Sequence, residues 1–192
     1  AQMNRFRFLF LIILSALLYS CATTKNFIPN KKYSAQQLQQ DFSLLRNILE
    51  KKHPSLYWYT PKDSMDMYFD TYYSNIKDSM TEQQFGWKIV APLTDKIHCG
   101  HTSFSRSKAY NNWAEGKRFP SFPLLVRCWN DTMAVTSNLN RKDTVFKRGT
   151  LITSVNGIKN AELIRIMFGY MTEDGYANNV NYNRLSNSFP FY

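Results

Sequence analysis

Histidine and cysteine are scarce in this chain, three of each among 192 residues. That limits metal chemistry, because a structural zinc site takes four deprotonated sulfur, imidazole or carboxylate ligands. No Gly-x-Ser-x-Gly occurs, so the nucleophile elbow that many serine hydrolases use is absent. No apolar run reaches the ~20 residues of a membrane-spanning helix. Neither an internal repeat nor a low-complexity tract is present, and a repeat architecture is not expected. Basic residues fall in scattered pairs, Lys51-Lys52, Lys117-Arg118, Arg141-Lys142 and Lys147-Arg148. Without a basic stripe interleaved with aromatics, nucleic acid is not an expected partner. The net charge of +10 reads instead as a solvated surface that tolerates anionic lipid.

What is present begins with apolar content. At 44% apolar and 16% aromatic residues the chain can bury a core and does not read as disordered. Arg5 and Arg7 precede an apolar run from Phe8 to Tyr19, followed by Ser20 and Cys21. The run is too short to span a bilayer but suits the charged and apolar regions of a secretory signal. Leu18-Tyr19-Ser20-Cys21 resembles a bacterial lipobox. The resemblance implies a signal peptide over residues 1–20, lipidation of Cys21 and a polar tether over 21–33. The expected location is the bacterial cell envelope, lipid-anchored, on the periplasmic side or exposed at the surface; an uncleaved anchor is the alternative. Export leaves Cys99 and Cys128 in an oxidising compartment, where they either pair or stay as two buried thiols.

Ser34-x-x-Gln37 is a capping box, and Leu38, Phe42, Leu45 and Leu49 follow as one apolar stripe. This predicts a helix that ends near Lys52, because Pro54 disfavours helix at His53. Thr60-Pro61 opens a second helix, with a stripe running on through Ile76 to Met80. Thr81-x-x-Gln84 caps a third, kinked or shortened by Pro92. Further on, two β-rich runs flank Asn130-Asp131, a hairpin signal. Residues 149–157 read as one strand ending in the Asn156-Gly157 turn, then a helix over 161–171. The polar remainder offers no obvious terminal element. The fold class is α+β, a small helical domain over 34–105 followed by a β-rich module over 115–192.

Residues 96–104, Lys-Ile-His-Cys-Gly-His-Thr-Ser-Phe, concentrate the reactive side chains. A metal held by His98, Cys99 and His101 has at most three ligands, and adjacent residues fill two corners of a tetrahedron poorly. A Cys99 nucleophile needs a base facing it in space, which adjacency does not ensure. A structural reading has His98 at the dipole end of a helix and His101 bonded to backbone in the next turn.

Three segments carry a wider resemblance: residues 81–104 closing on Gly100-His101-Thr102, residues 41–60 with His53-Pro54-x-Leu56-Tyr57, and residues 147–157 closing on Val155-Asn156-Gly157. In this order they resemble the tail-specific, or C-terminal-processing, serine peptidases. The likeness implies a helical domain, then a PDZ-like module whose closing strand the chain stops short of, then a catalytic domain beyond Tyr192. In the tricorn-like branch an earlier domain supplies a histidine as general base, and His101 matches it; another branch uses a lysine. That branch has a serine where Gly100 stands. The PDZ-like module implies peptide capture by strand addition along Phe122, Leu124, Leu125 and Val126, although Pro123 removes one N–H donor. The expected partners are a protein or peptide substrate and a membrane reached through Cys21, with no cofactor and no metal. The chain alone lacks the nucleophile and is expected to be inactive. The alternative is a non-catalytic, peptide-binding envelope lipoprotein.

Overall fold

The computed structural model describes residues 27–191. It is a mixed α+β protein with small antiparallel sheets. The expected signal peptide, Cys21 and the expected tether as far as residue 26 lie outside the described residues. The contacts divide the chain into two compact units, and the larger takes in residues 29–106 together with the chain from Gly116 onward.

The larger unit begins with strand β1 (Lys32–Tyr33) and helix α1 (Ala35–Lys52), started by the reciprocal Ser34–Gln37 capping box. Leu38, Phe42 and Leu49 are buried as the stripe requires. Helix α2 (Lys62–Ser74) packs on α1 through Met65 and Phe69. Arg46 ties the pair together by reaching Asp66 and Asp70 from α1 at 2.8 and 2.9 Å. Thr60 does not cap α2, because its hydroxyl donates to the Lys96 carbonyl at 2.5 Å. The helical stripe also stops short of Met80. Met80–Thr81 form strand β2, paired antiparallel with β1, and Ile76 closes the helical core from a loop.

Thr81 caps helix α3 (Glu82–Phe85), which runs through a π turn (Gly86–Val90) into helix α4 (Ala91–Asp95). Pro92 accounts for the π turn. Proline has no N–H and its ring collides with the carbonyl four residues back, so the helix widens by one residue beforehand. The Ala91 N–H accordingly bonds to Gly86, five residues earlier.

In the smaller unit, the described residues are 27–28 and Ser107–Glu115. Ser107 caps helix α5 (Lys108–Ala114), and Tyr110 and Trp113 pack with Phe27 at ring separations of 5.3 and 5.5 Å.

Back in the larger unit, strands β3 (Leu124–Trp129) and β4 (Thr132–Asn138) form the expected hairpin, turned by Asn130 in the left-handed region. Asn tolerates that conformation better than most residues. The run expected as one strand is two, β5 (Leu151–Ile152) and β6 (Ser154–Val155). β5 joins the order β3-β4-β5, while β6 pairs with β7 (Ile158–Lys159) across the Asn156-Gly157 turn. Helix α6 (Asn160–Phe168) follows. The tail is not structureless: Asn178–Ser188 form helix α7 and Phe189–Phe191 a 3-10 turn. Leu185 and Phe189 of this terminal element enter a second core with Val126, Cys128, Met133 and Ile164.

Candidate functional site

Helix α4 ends at Asp95, and Lys96, Ile97 and His98 continue as tight turns, each N–H bonding three residues back. Ile97 is fully buried and fixes where the chain leaves the helical core. His98 then adopts φ 53°, a left-handed conformation that costs a non-glycine residue energy and persists only where neighbours enforce it. The segment Glu173-Asp174-Gly175-Tyr176 does so. The His98 Nδ1–H donates to the Glu173 carboxylate at 3.2 Å, and the Gly175 N–H donates to the His98 carbonyl at 2.9 Å. Tyr176 lays its ring 4.8 Å from the imidazole and donates its hydroxyl to the Tyr59 carbonyl. Glu173 is only 5% exposed, and its other oxygen accepts from Asn181 Nδ2 at 2.6 Å. This is a charge-assisted arrangement of the stronger kind.

Next along the turn, the Gly100 N–H donates to Asp174 Oδ1 at 2.7 Å. Thr102 bonds back to Cys99 and, through its hydroxyl, to His53 Nε2 at 2.8 Å. His53 Nδ1 accepts from the Ser55 N–H at 3.3 Å, so Nε2 carries the proton and Thr102 receives it. Burial lowers the His53 pKa from its ordinary 6.5. A histidine whose folded pKa is depressed contributes stability above 6.5 that is lost as pH falls through the folded value. Chemical denaturation should therefore show stability declining as pH drops below 6.5. His53→Asn should flatten that decline while lowering stability at neutral pH.

Two of the three histidines are thus spent holding the turn that carries the third. His101 is exposed, and among the described residues its ring makes no hydrogen bond or ion pair. The backbone bond predicted for it goes instead to Thr102, and His98 sits on Glu173 rather than at a helix end. Cys99 packs against the helical core, so His98, Cys99 and His101 do not converge. Among the described residues no group of three or more His, Cys, Asp or Glu is placed to hold a metal. No protein-family model, curated protein or solved structure matches the chain.

Cys99 and Cys128 are both free thiols. Cys128 lies in the second core, where burial pushes its thiol up to about 11, which keeps it protonated and inert.

The stretch expected to bind peptide lies along β3. Leu124 and Val126 are 4% and 1% exposed, their side chains committed to the core. Phe122 stacks edge-on to Phe189 at 5.0 Å, and Leu125 is half-buried on the other face. β3 is an edge strand, so main-chain groups of alternate residues point away from β4. At Cys128 those groups are taken: Ser186 Oγ of α7 accepts from the Cys128 N–H at 3.0 Å. Farther up the edge, Val126 is 1% exposed as a whole residue, so its main chain is covered as well. Among the described residues no helix is long and apolar enough to cross a membrane.

The Glu173 segment reads in the sequence only as polar and turn-rich, with no role at the site. Its signal is a Glu-Asp-Gly-Tyr run directly after an apolar helix, with Gly175 at φ 64°. A side chain there would press on the Tyr59 ring at 3.0 Å, so the turn needs glycine for both conformation and space.

Proposed function

We propose that this chain is the N-terminal portion of an exported, lipid-anchored serine endopeptidase of the tail-specific type, with His101 as general base for a serine supplied by a later domain. The observation that carries the reading is an exposed imidazole on a turn whose neighbours are all tethered. A serine hydroxyl attacks a peptide carbonyl only when a positioned base accepts its proton, and imidazole titrates in the right range. Such a base can come from any segment, because triads are defined by geometry rather than chain order. The substrate class is a protein or peptide, and the membrane is reached through Cys21. Segment 115–192, small antiparallel sheets with two helices, takes the role of a PDZ-like substrate module.

The reading frame past Tyr192 is expected to encode a serine at a strand-to-helix turn; its absence would end the proposal. In the protein carrying both parts, His101→Ala should lower kcat by about 10²–10⁴-fold, the usual contribution of a general base, with KM little changed. Undiminished turnover would transfer the role to another base.

The terminal place of β3 in its three-stranded sheet supports a second reading, a non-catalytic peptide-binding lipoprotein. It expects the fragment alone to bind extended peptides by strand addition. Calorimetry with hydrophobic C-terminal peptides showing no heat of binding would dismiss it.

A further inference from the structure

We propose that Asp174 is a positioning residue for His101, acting through the Gly100 amide, and that glycine stands at position 100 to admit its carboxylate. The inference rests on the reading of His101 as a base and extends it to a residue 74 positions from Gly100 in sequence.

The geometry is specific. Asp174 Oδ1 lies 2.7 Å from the Gly100 nitrogen, the residue immediately before His101. A Cβ built on Gly100 would meet that carboxylate at 3.2 to 3.3 Å, tighter than ordinary van der Waals contact. Gly100 does not owe its place to positive φ; the constraint is the close approach.

Asp174 is itself held on both sides. Glu173 is anchored in the interior by His98 and Asn181, and Gly175 donates to the His98 carbonyl. The exposed Asp174 carboxylate therefore has little freedom to leave Gly100. His101 is bracketed by the Asp174 bond on one side and the Thr102–His53 bond on the other. Its backbone is fixed while its ring stays open to a reacting partner. A base needs that combination, since proton transfer falls off sharply when donor and acceptor drift from hydrogen-bond reach.

Amide exchange and histidine-ring NMR on the 192-residue chain test the clamp without any catalytic domain. Asp174→Ala should speed exchange of the Gly100 amide at least tenfold and broaden the His101 ring signals, leaving core amides of α1 unchanged. Asp174→Asn keeps an acceptor oxygen and should restore most of both, a rescue that a general loss of stability would not show. Gly100→Ala, which pushes the carboxylate away, should mimic Asp174→Ala, and the double variant should be no worse than either. Gly100 exchange within twofold of wild type in Asp174→Ala overturns the clamp.

In the serine-bearing protein, Asp174→Ala should lower kcat at least tenfold at unchanged KM, with recovery in Asp174→Asn. Full activity in Asp174→Ala beside an inactive His101→Ala overturns the positioning role and leaves the base assignment standing. Full activity in His101→Ala removes the base assignment and the positioning role together, whatever the exchange data show.

Discussion

Gly86→Ala is expected to destabilise the larger unit by about 2 kcal/mol, although the same change stabilises most helices. Gly86 is helical, at φ −56° and ψ −51°, and replacing a helix-interior glycine with alanine usually gains ~1 kcal/mol. The opposing effect is steric. A Cβ at Gly86 would lie 2.1 Å from Cζ of the Phe104 ring, and overpacking a fitted site typically costs ~1–3 kcal/mol. Neither partner yields easily. The Gly86 backbone is fixed by the Ala91 bond of the π turn. The Phe104 ring is held edge-on by Trp87, at 5.4 Å, and its chain is anchored two residues earlier by Thr102 on His53. Phe104 is partly exposed, so its outward displacement sets the upper limit of the loss. Urea denaturation measures the change. Phe104→Ala should remove the penalty, so that Gly86→Ala made in that background is neutral or stabilising. A stabilising Gly86→Ala in the wild-type chain would mean that the Phe104 strap is loose and does not fix the exit of the 98–102 turn.

Elements whose local chemistry agrees with their tertiary role could be read from the sequence. The Ser34 and Thr81 capping boxes, the α1 stripe and the Asn130 turn are short-range signals, and each survived packing. Where local and tertiary preferences diverge, reading failed. α7 is Asn-Asn-Val-Asn-Tyr-Asn-Arg-Leu-Ser-Asn-Ser, a composition that favours turns over helix. It is helical because Leu185 fills the second core and because Asn181 and Ser186 spend their side chains on Glu173 and Cys128. Likewise Thr60 has the position of a helix cap, but its hydroxyl goes to the Lys96 carbonyl. For the site the limit is distance along the chain. His101 could be picked from Gly-His-Thr alone, whereas its supports, His53, Glu173 and Asp174, lie 48 to 73 residues away in sequence and are connected only by the fold.

Glu173→Ala is expected to cost about 3 kcal/mol, and Glu173→Gln about 1. The alanine variant strips two partners at once. The Asn181 side chain is 1% exposed and its Oδ1 has no partner, so losing the Nδ2 bond leaves the whole amide unsatisfied inside the protein. A buried donor left unpaired costs ~1–3 kcal/mol. His98 simultaneously loses the bond that stabilises its left-handed backbone, a conformation worth ~1–3 kcal/mol of strain. The sum exceeds the cost of an exposed ion pair. Glutamine changes the balance. Its oxygen can still accept from His98, and its new N–H₂ can donate to the Asn181 oxygen once that amide turns over, which keeps one Asn181 bond and leaves the Asn181 N–H₂ unpaired in place of its oxygen. The loss is then the charge assistance of one bond. Thermal denaturation of both variants separates packing from chemistry, because glutamine has nearly the same volume as the glutamate it replaces. If glutamine proved as damaging as alanine, the carboxylate charge itself would be the requirement. If alanine proved harmless, the Glu173 carboxylate would not be what holds His98 in its left-handed turn, and that role would fall to the Gly175 and Tyr176 contacts.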